Sequence, residues 1–100
     1  MKPSYSRLKL SETDIKQQVK DLLVLKHIFS FHITQGLGCF PGLPDRVMHF
    51  QGRVIYLEIK RPGGKMSKYQ LAFKEQCISD GISYWCVSSI EELEELFETL

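Results

Sequence analysis

Residues 46–57 constrain the fold of this chain more than any other stretch. Arg46-Val47-Met48-His49-Phe50 and Arg53-Val54-Ile55-Tyr56-Leu57 are two apolar, β-prone runs, joined by Gln51-Gly52. Such runs around a glycine turn predict a β-hairpin. A hairpin folds back on itself, so whatever precedes its first strand lands beside whatever follows its second. Here those flanks are Pro44-Asp45 and Glu58-Ile59-Lys60. Asp45 and Glu58 are therefore expected to meet. Lys60 shares a strand face with Glu58, because side chains alternate with period two.

The remaining elements follow from periodicity and caps. Residues 1–10 show no clear period and read as an arm. Ser11 with Asp14 forms an approximate capping box, and Ile15, Val19, Leu22 and Leu23 mark the buried stripe of a helix that fades near Lys26-His27. Phe29, Phe31 and Ile33 alternate with Ser30, His32 and Thr34, the pattern of a half-buried strand. Gln35 to Pro44 holds Gly36, Gly38, Pro41, Gly42 and Pro44 and reads as a loop, either a simple connection or a phosphate-contacting one. After Arg61-Pro62-Gly63-Gly64, a Ser67/Gln70 capping box starts a helix through Phe73, Cys77 and Ile78 that Gly81 stops. Ser83 to Val87 is a short strand, and Ser88 or Ser89 caps a last helix through Leu93, Leu96 and Phe97. The order is α-β-β-β-α-β-α, an α/β chain with a mixed four-stranded sheet flanked by helices, its strand–helix–strand unit parallel.

One hundred residues suit a single domain, 1–100, and no apolar run approaches the roughly 20 residues of a membrane span. The three cysteines, Cys39, Cys77 and Cys86, have no CxxC spacing and read as reduced, mostly buried thiols of a cytoplasmic protein. The net charge of +1 conceals an asymmetry. Five glutamates crowd the last ten residues, and residues 1–90 hold 13 basic against 7 acidic groups. Between Arg53 and Lys74 there are six basic residues and one acid, Glu58. That bias suits a polyanionic partner or, equally, a solvated basic face.

Two carboxylates and a lysine converging at a strand end match the needs of metal-dependent phosphodiester hydrolysis. Asp45, Glu58 and the carbonyl of Ile59 supply hard oxygens for Mg2+ or Mn2+, and Lys60 supplies a cation near the attacked phosphate. Each piece alone has an ordinary explanation: Asp after Pro is turn chemistry, and Glu-x-Lys on a strand is a solvated ion pair. On an interior strand, however, buried charge calls for a ligand. Lys65 and Lys68, near the Gly63-Gly64 turn, are candidates for phosphate contact, with Arg53 and Arg61 in the same basic stretch. Tyr69, Tyr84 and Trp85 are candidates for base stacking, with Trp85 more easily read as core. His27, His32 and His49 lie at no metal-ligand spacing, and His49 is expected to be exposed on the hairpin.

Taken in order, Glu12 with Ile15 and Gln18, Gly42-Leu43-Pro44-Asp45, Glu58-Ile59-Lys60 and Ser67-Lys68-Tyr69-Gln70 resemble the virus-type replication–repair nuclease (VRR-NUC) family of the PD-(D/E)xK nuclease superfamily. The resemblance covers residues 12–87 and implies a restriction-endonuclease-like core. It implies Asp45 and Glu58 as metal ligands, Lys60 as catalytic lysine, Gln70 as active-site helper and a catalytic role for Glu12. Physics alone explains Glu12 by the helix dipole and Gln70 by its cap. Standalone relatives, found in phages and bacteria, imply a structure-selective endonuclease on branched DNA, acting in the host cytoplasm. The expectation is a homodimeric Holliday-junction resolvase, with the acidic last helix either at the dimer interface or covering the sheet. Alternatives are a less selective flap or single-strand nuclease, and a non-catalytic nucleic-acid-binding module of the same fold.

Overall fold

Two reciprocal caps and one tight turn set the frame of the structure, a computed structural model that describes residues 10–100. The arm expected over 1–10 lies, apart from Leu10, outside the described residues. Helix α1 spans Glu12–Leu25, with Ser11 and Asp14 each bonding the other's backbone N–H at 3.0 Å. Strand β1 is Ser30–His32, β2 is Arg46–Phe50 and β3 is Arg53–Ile59. Helix α2 is Lys68–Asp80, β4 is Ser83–Val87 and α3 is Ile90–Glu98. At the β2–β3 turn, Gln51 and Gly52 both take positive φ (51° and 75°), the backbone that a two-residue hairpin requires.

The sheet runs β1-β2-β3-β4, with the first two pairings antiparallel and β3–β4 parallel. β3 is therefore an interior strand. One sheet face presents Met48, Ile55, Leu57, Ile59 and Val87 to Ile15, Val19 and Leu23 of α1 and Leu93 and Phe97 of α3, and this is the core. α2 covers the other face over β3 and β4, where Phe73 meets the rings of Tyr56 and Tyr84.

Several local expectations are corrected. β1 is an edge strand, and its Phe31 and the preceding Phe29 are 47% and 61% exposed, because α2 does not extend over that end of the sheet. Ile78, expected on the buried face of α2, is exposed, and of the cysteines only Cys77 is buried. Helix α2 touches the sheet along Phe73 and Cys77, which leaves Ile78 on its outer side, while Tyr69, one turn before Phe73, is exposed at the start of the helix. Helix α3 buries Leu93 and Phe97 in the core, so these two residues cover the sheet. Trp85 packs edge-on against Phe97 at 5.4 Å and Tyr84 lies under α2, so Tyr69 alone of the three aromatic candidates faces outward. His49 is exposed, stacked beside Phe29. Among the described residues, no helix is long and apolar enough to cross a membrane.

Candidate active site

The register Arg46↔Leu57 and Val47↔Tyr56, continued one step past β2, sets Asp45 opposite Glu58. Asp45 is held there from two sides. Its backbone carbonyl accepts from Ile33 N–H at 2.8 Å, and its Oδ2 accepts from Ile59 N–H at 2.7 Å. Pro44, just before it, is fully buried and fixes the approach of the chain.

Glu58 is the one buried charged side chain in the described core, only 2% exposed. Its Oε2 meets Lys60 Nζ at 3.3 Å and accepts from Gln70 Nε2 at 2.8 Å. Its Oε1 is buried without a hydrogen-bond partner. Burial, with the neighbouring Asp45 adding to it, pushes the Glu58 carboxyl up to about 7 despite the attraction of Lys60. An acceptor this deeply buried and unpaired is costly unless a ligand satisfies it.

Gln70 both caps α2 and reaches Glu58. Its Oε1 accepts from Ser67 N–H at 2.9 Å and completes the α2 cap, while Nε2 is free for Glu58. Gly42 makes this possible. Its φ is +85°, and a Cβ there would overlap the Tyr69 carbonyl and the Gln70 nitrogen. The glycine-rich loop thus seats the first turn of α2 against the carboxylates.

Glu12, Asp45, Glu58, Lys60 and Gln70 all line one cleft of about 480 Å³, together with His32 and Lys16. Glu12 reaches the site through Lys16, whose Nζ lies 3.2 Å from Glu12 Oε2 and 3.0 Å from Asp45 Oδ1. Partial burial works against the Lys16 cation, but pairing with Asp45 and Glu12 outweighs it and raises its pKa. Sequence reasoning misses Lys16. The available signal is its position four residues after Glu12, on the same helix face. Lys20 and Arg46 join Lys16 along an adjoining groove between α1 and β2, a second basic surface that the sequence pattern does not single out.

Lys65, Arg61 and Lys68 lie exposed on the connection from β3 into α2, next to the cleft. Arg53 does not join them. It begins β3, and five steps along the strand, about 17 Å, separate it from Glu58. His27 and His49 stand outside the cleft lining, whereas His32 is part of it, within 3.3 Å of Thr34 Oγ1.

No group of three His, Cys, Asp or Glu side chains among the described residues could hold a metal ion. The Ile59 carbonyl shares the strand edge of its N–H, which is directed at Asp45, so a backbone oxygen stands on the side of the two carboxylates. The hard-oxygen set and the orphaned Glu58 Oε1 fit a divalent cation.

No family model and no curated protein matches the sequence. Among solved structures, a chain described as "VRR_NUC domain" superposes with a TM-score of 0.75, covering 89% of this chain and 97% of that one at 18% identity. The chain has the fold of that domain.

Proposed function

We propose that this chain is a divalent-metal-dependent DNA endonuclease of the VRR-NUC type, with residues 1–100 forming one nuclease domain. The observation that carries the reading is the buried Glu58, opposite Asp45 and bonded to both Lys60 and Gln70, with one carboxylate oxygen left unpaired. A sheet gains nothing from that arrangement, whereas metal-assisted phosphodiester hydrolysis can use it. The fold shared with a VRR_NUC domain supports the same class.

Asp45, Glu58 and the Ile59 carbonyl would hold the ion. When bound, Mg2+ or Mn2+ supplies Lewis-acid polarisation of a phosphate oxygen and a water of lowered pKa. Lys60 stabilises the negative charge that develops on the phosphate in the transition state, inside a cleft where solvent screens it little. Gln70 fixes the rotamer of Glu58, and Ile59 N–H fixes that of Asp45, so both oxygens are in place before substrate arrives. Lys16 holds Asp45 from the α1 side, and Glu12 acts through it. Arg61, Lys65 and Lys68 supply phosphate contacts on one side of the cleft. Lys20 and Arg46 supply them on the other.

The finer reading is a homodimer that resolves four-way junctions in the cytoplasm of a bacterial or phage-infected cell. Its support is the two-fold match of dimer and junction, together with the uncovered Phe31 on edge strand β1 and Phe29 just before it. Four-way junction, flap and linear duplex DNA, each incubated with and without magnesium, test the proposal. Magnesium-dependent cutting of branched DNA is expected. No cutting of any of the three with either magnesium or manganese would reject the nuclease reading.

A further inference from the structure

The glycine-rich loop and one flank of α2 enclose a slot of about 380 Å³, lined by Phe40, Pro41, Tyr69, Ala72, Phe73 and Gln76. Its walls are aromatic and open. Phe40 and Tyr69 are 63% and 53% exposed, and the half-buried Phe73 forms the floor, its ring centre 6.4 Å from that of Phe40. Two features of its setting indicate what fills it. Tyr69 directly precedes Gln70, which bonds Glu58, so the slot and the carboxylate site draw on the same first turn of α2. Its rim is cationic: Lys68 Nζ stands 5.2 Å over the Tyr69 ring, and Lys65 precedes it on the same exposed connection.

We propose that this slot binds one unpaired nucleobase of the DNA strand being cut, stacked on Phe40 and Tyr69 while Lys65 and Lys68 hold the flanking phosphates. This rests on the nuclease reading and specifies its substrate: DNA with an unpaired or easily unstacked nucleotide beside the scissile bond. An aromatic platform with a cationic border is the combination that grips single-stranded nucleic acid, since every base has a π-face to stack and every linkage a phosphate to neutralise. A second copy of the chain is a poorer occupant. A two-fold contact centred on this rim would bring the same lysines against each other. The buried, aliphatic core elements do not extend into the slot, so filling it is not needed for folding.

The test uses full-length protein with 2-aminopurine placed at successive positions near the cut in a flap substrate, and calcium in place of magnesium to prevent cleavage. A fluorescence change confined to one or two positions is expected. Phe40→Ala and Tyr69→Ala should each abolish it and lower the ratio of flap to duplex affinity about ten-fold, in the range that one base–aromatic stack supplies. Phe40→Trp should restore both, and unchanged melting temperatures show that the variants are folded. Variants that keep the signal and the affinity ratio overturn the slot. If wild type still cuts DNA in an Asp45-dependent way, the nuclease reading survives that result. A shift in molecular mass in the variants, with the base signal retained, makes the slot a protein interface and also overturns the proposal. Wild type that neither binds nor cuts DNA removes the nuclease reading and this inference with it.

Discussion

Glu58 carries the sharpest consequences of any side chain in this fold, because it is ionisable, buried and only half satisfied. A carboxyl whose pKa is raised by folding binds its proton more tightly in the folded state. Its contribution therefore favours folding below the ordinary glutamate value and is lost as pH rises through about 7. Metal-free wild type should lose stability between about pH 5 and pH 8 relative to Glu58→Gln, by something of the order of 1–3 kcal/mol. Thermal melts across that range check it; parallel curves for the two proteins would mean that Glu58 is solvated. Asp45→Asn and Glu58→Gln should both abolish cleavage without unfolding, since neutral amides make poor ligands and mutual repulsion is relieved. Cutting at the wild-type rate by either would remove that residue from the site. Lys60→Ala should bind DNA within a few-fold of wild type yet lose about 100-fold or more in turnover, on the scale of a lost transition-state donor. Filter binding beside single-turnover rates separates the two effects, and an equal fall in both would make Lys60 a general phosphate contact.

Among the elements, the loop before β2 and the first turn of α2 behave as one piece. Gly42→Ala adds a methyl group against the Tyr69–Gln70 backbone at a positive φ, so it should cost about 1–3 kcal/mol of stability. It should also cut activity by pushing Gln70 away from Glu58, whereas Gly36→Ala, in the same loop with open space around it and no positive φ, should retain activity. Equal effects of the two substitutions would show that the loop matters only as a flexible link. Both capping boxes and the hairpin are legible in the amino-acid sequence, because each is a local contract between residues three or four apart. The meeting of Asp45 with Glu58 is legible for the same reason, as it needs only the hairpin register. The exposure of Phe29 and Phe31 is not, since alternation defines two faces but not which stretch of them a later helix covers. Lys16 and the Gly42 contact are hidden for a related cause: each joins a helix to a strand end or loop far along the chain. Arg53 looks like part of the site only because sequence proximity to Lys60 ignores the length of the strand between them.

For the molecule as a whole, the distribution of charge and apolar surface sets how it meets DNA and other copies of itself. Basic side chains flank the cleft on the α1 side and on the approach to α2, while the glutamates of α3 lie on the helix that packs with α1 beneath the core face. Binding should therefore weaken steeply with salt, and Lys65→Ala or Lys68→Ala should each reduce the log–log slope by about 0.9, as expected for one lost phosphate contact. Light scattering with and without four-way junction DNA decides the assembly. A dimer that Phe31→Glu dissociates is expected if β1 is the contact, and a monomer cutting linear duplex as well as junctions would end the resolvase reading alone. Gln70, finally, has a consequence that reaches beyond catalysis. One amide closes the helix end with its oxygen and steadies the buried carboxylate with its nitrogen. Fraying of that helix end and release of Glu58 are thus a single opening event with one equilibrium constant. Whatever steadies the carboxylate should slow the exchange of the Ser67 and Gln70 amide protons, the two that the cap holds, so the helix end reports occupancy of the site through its own breathing.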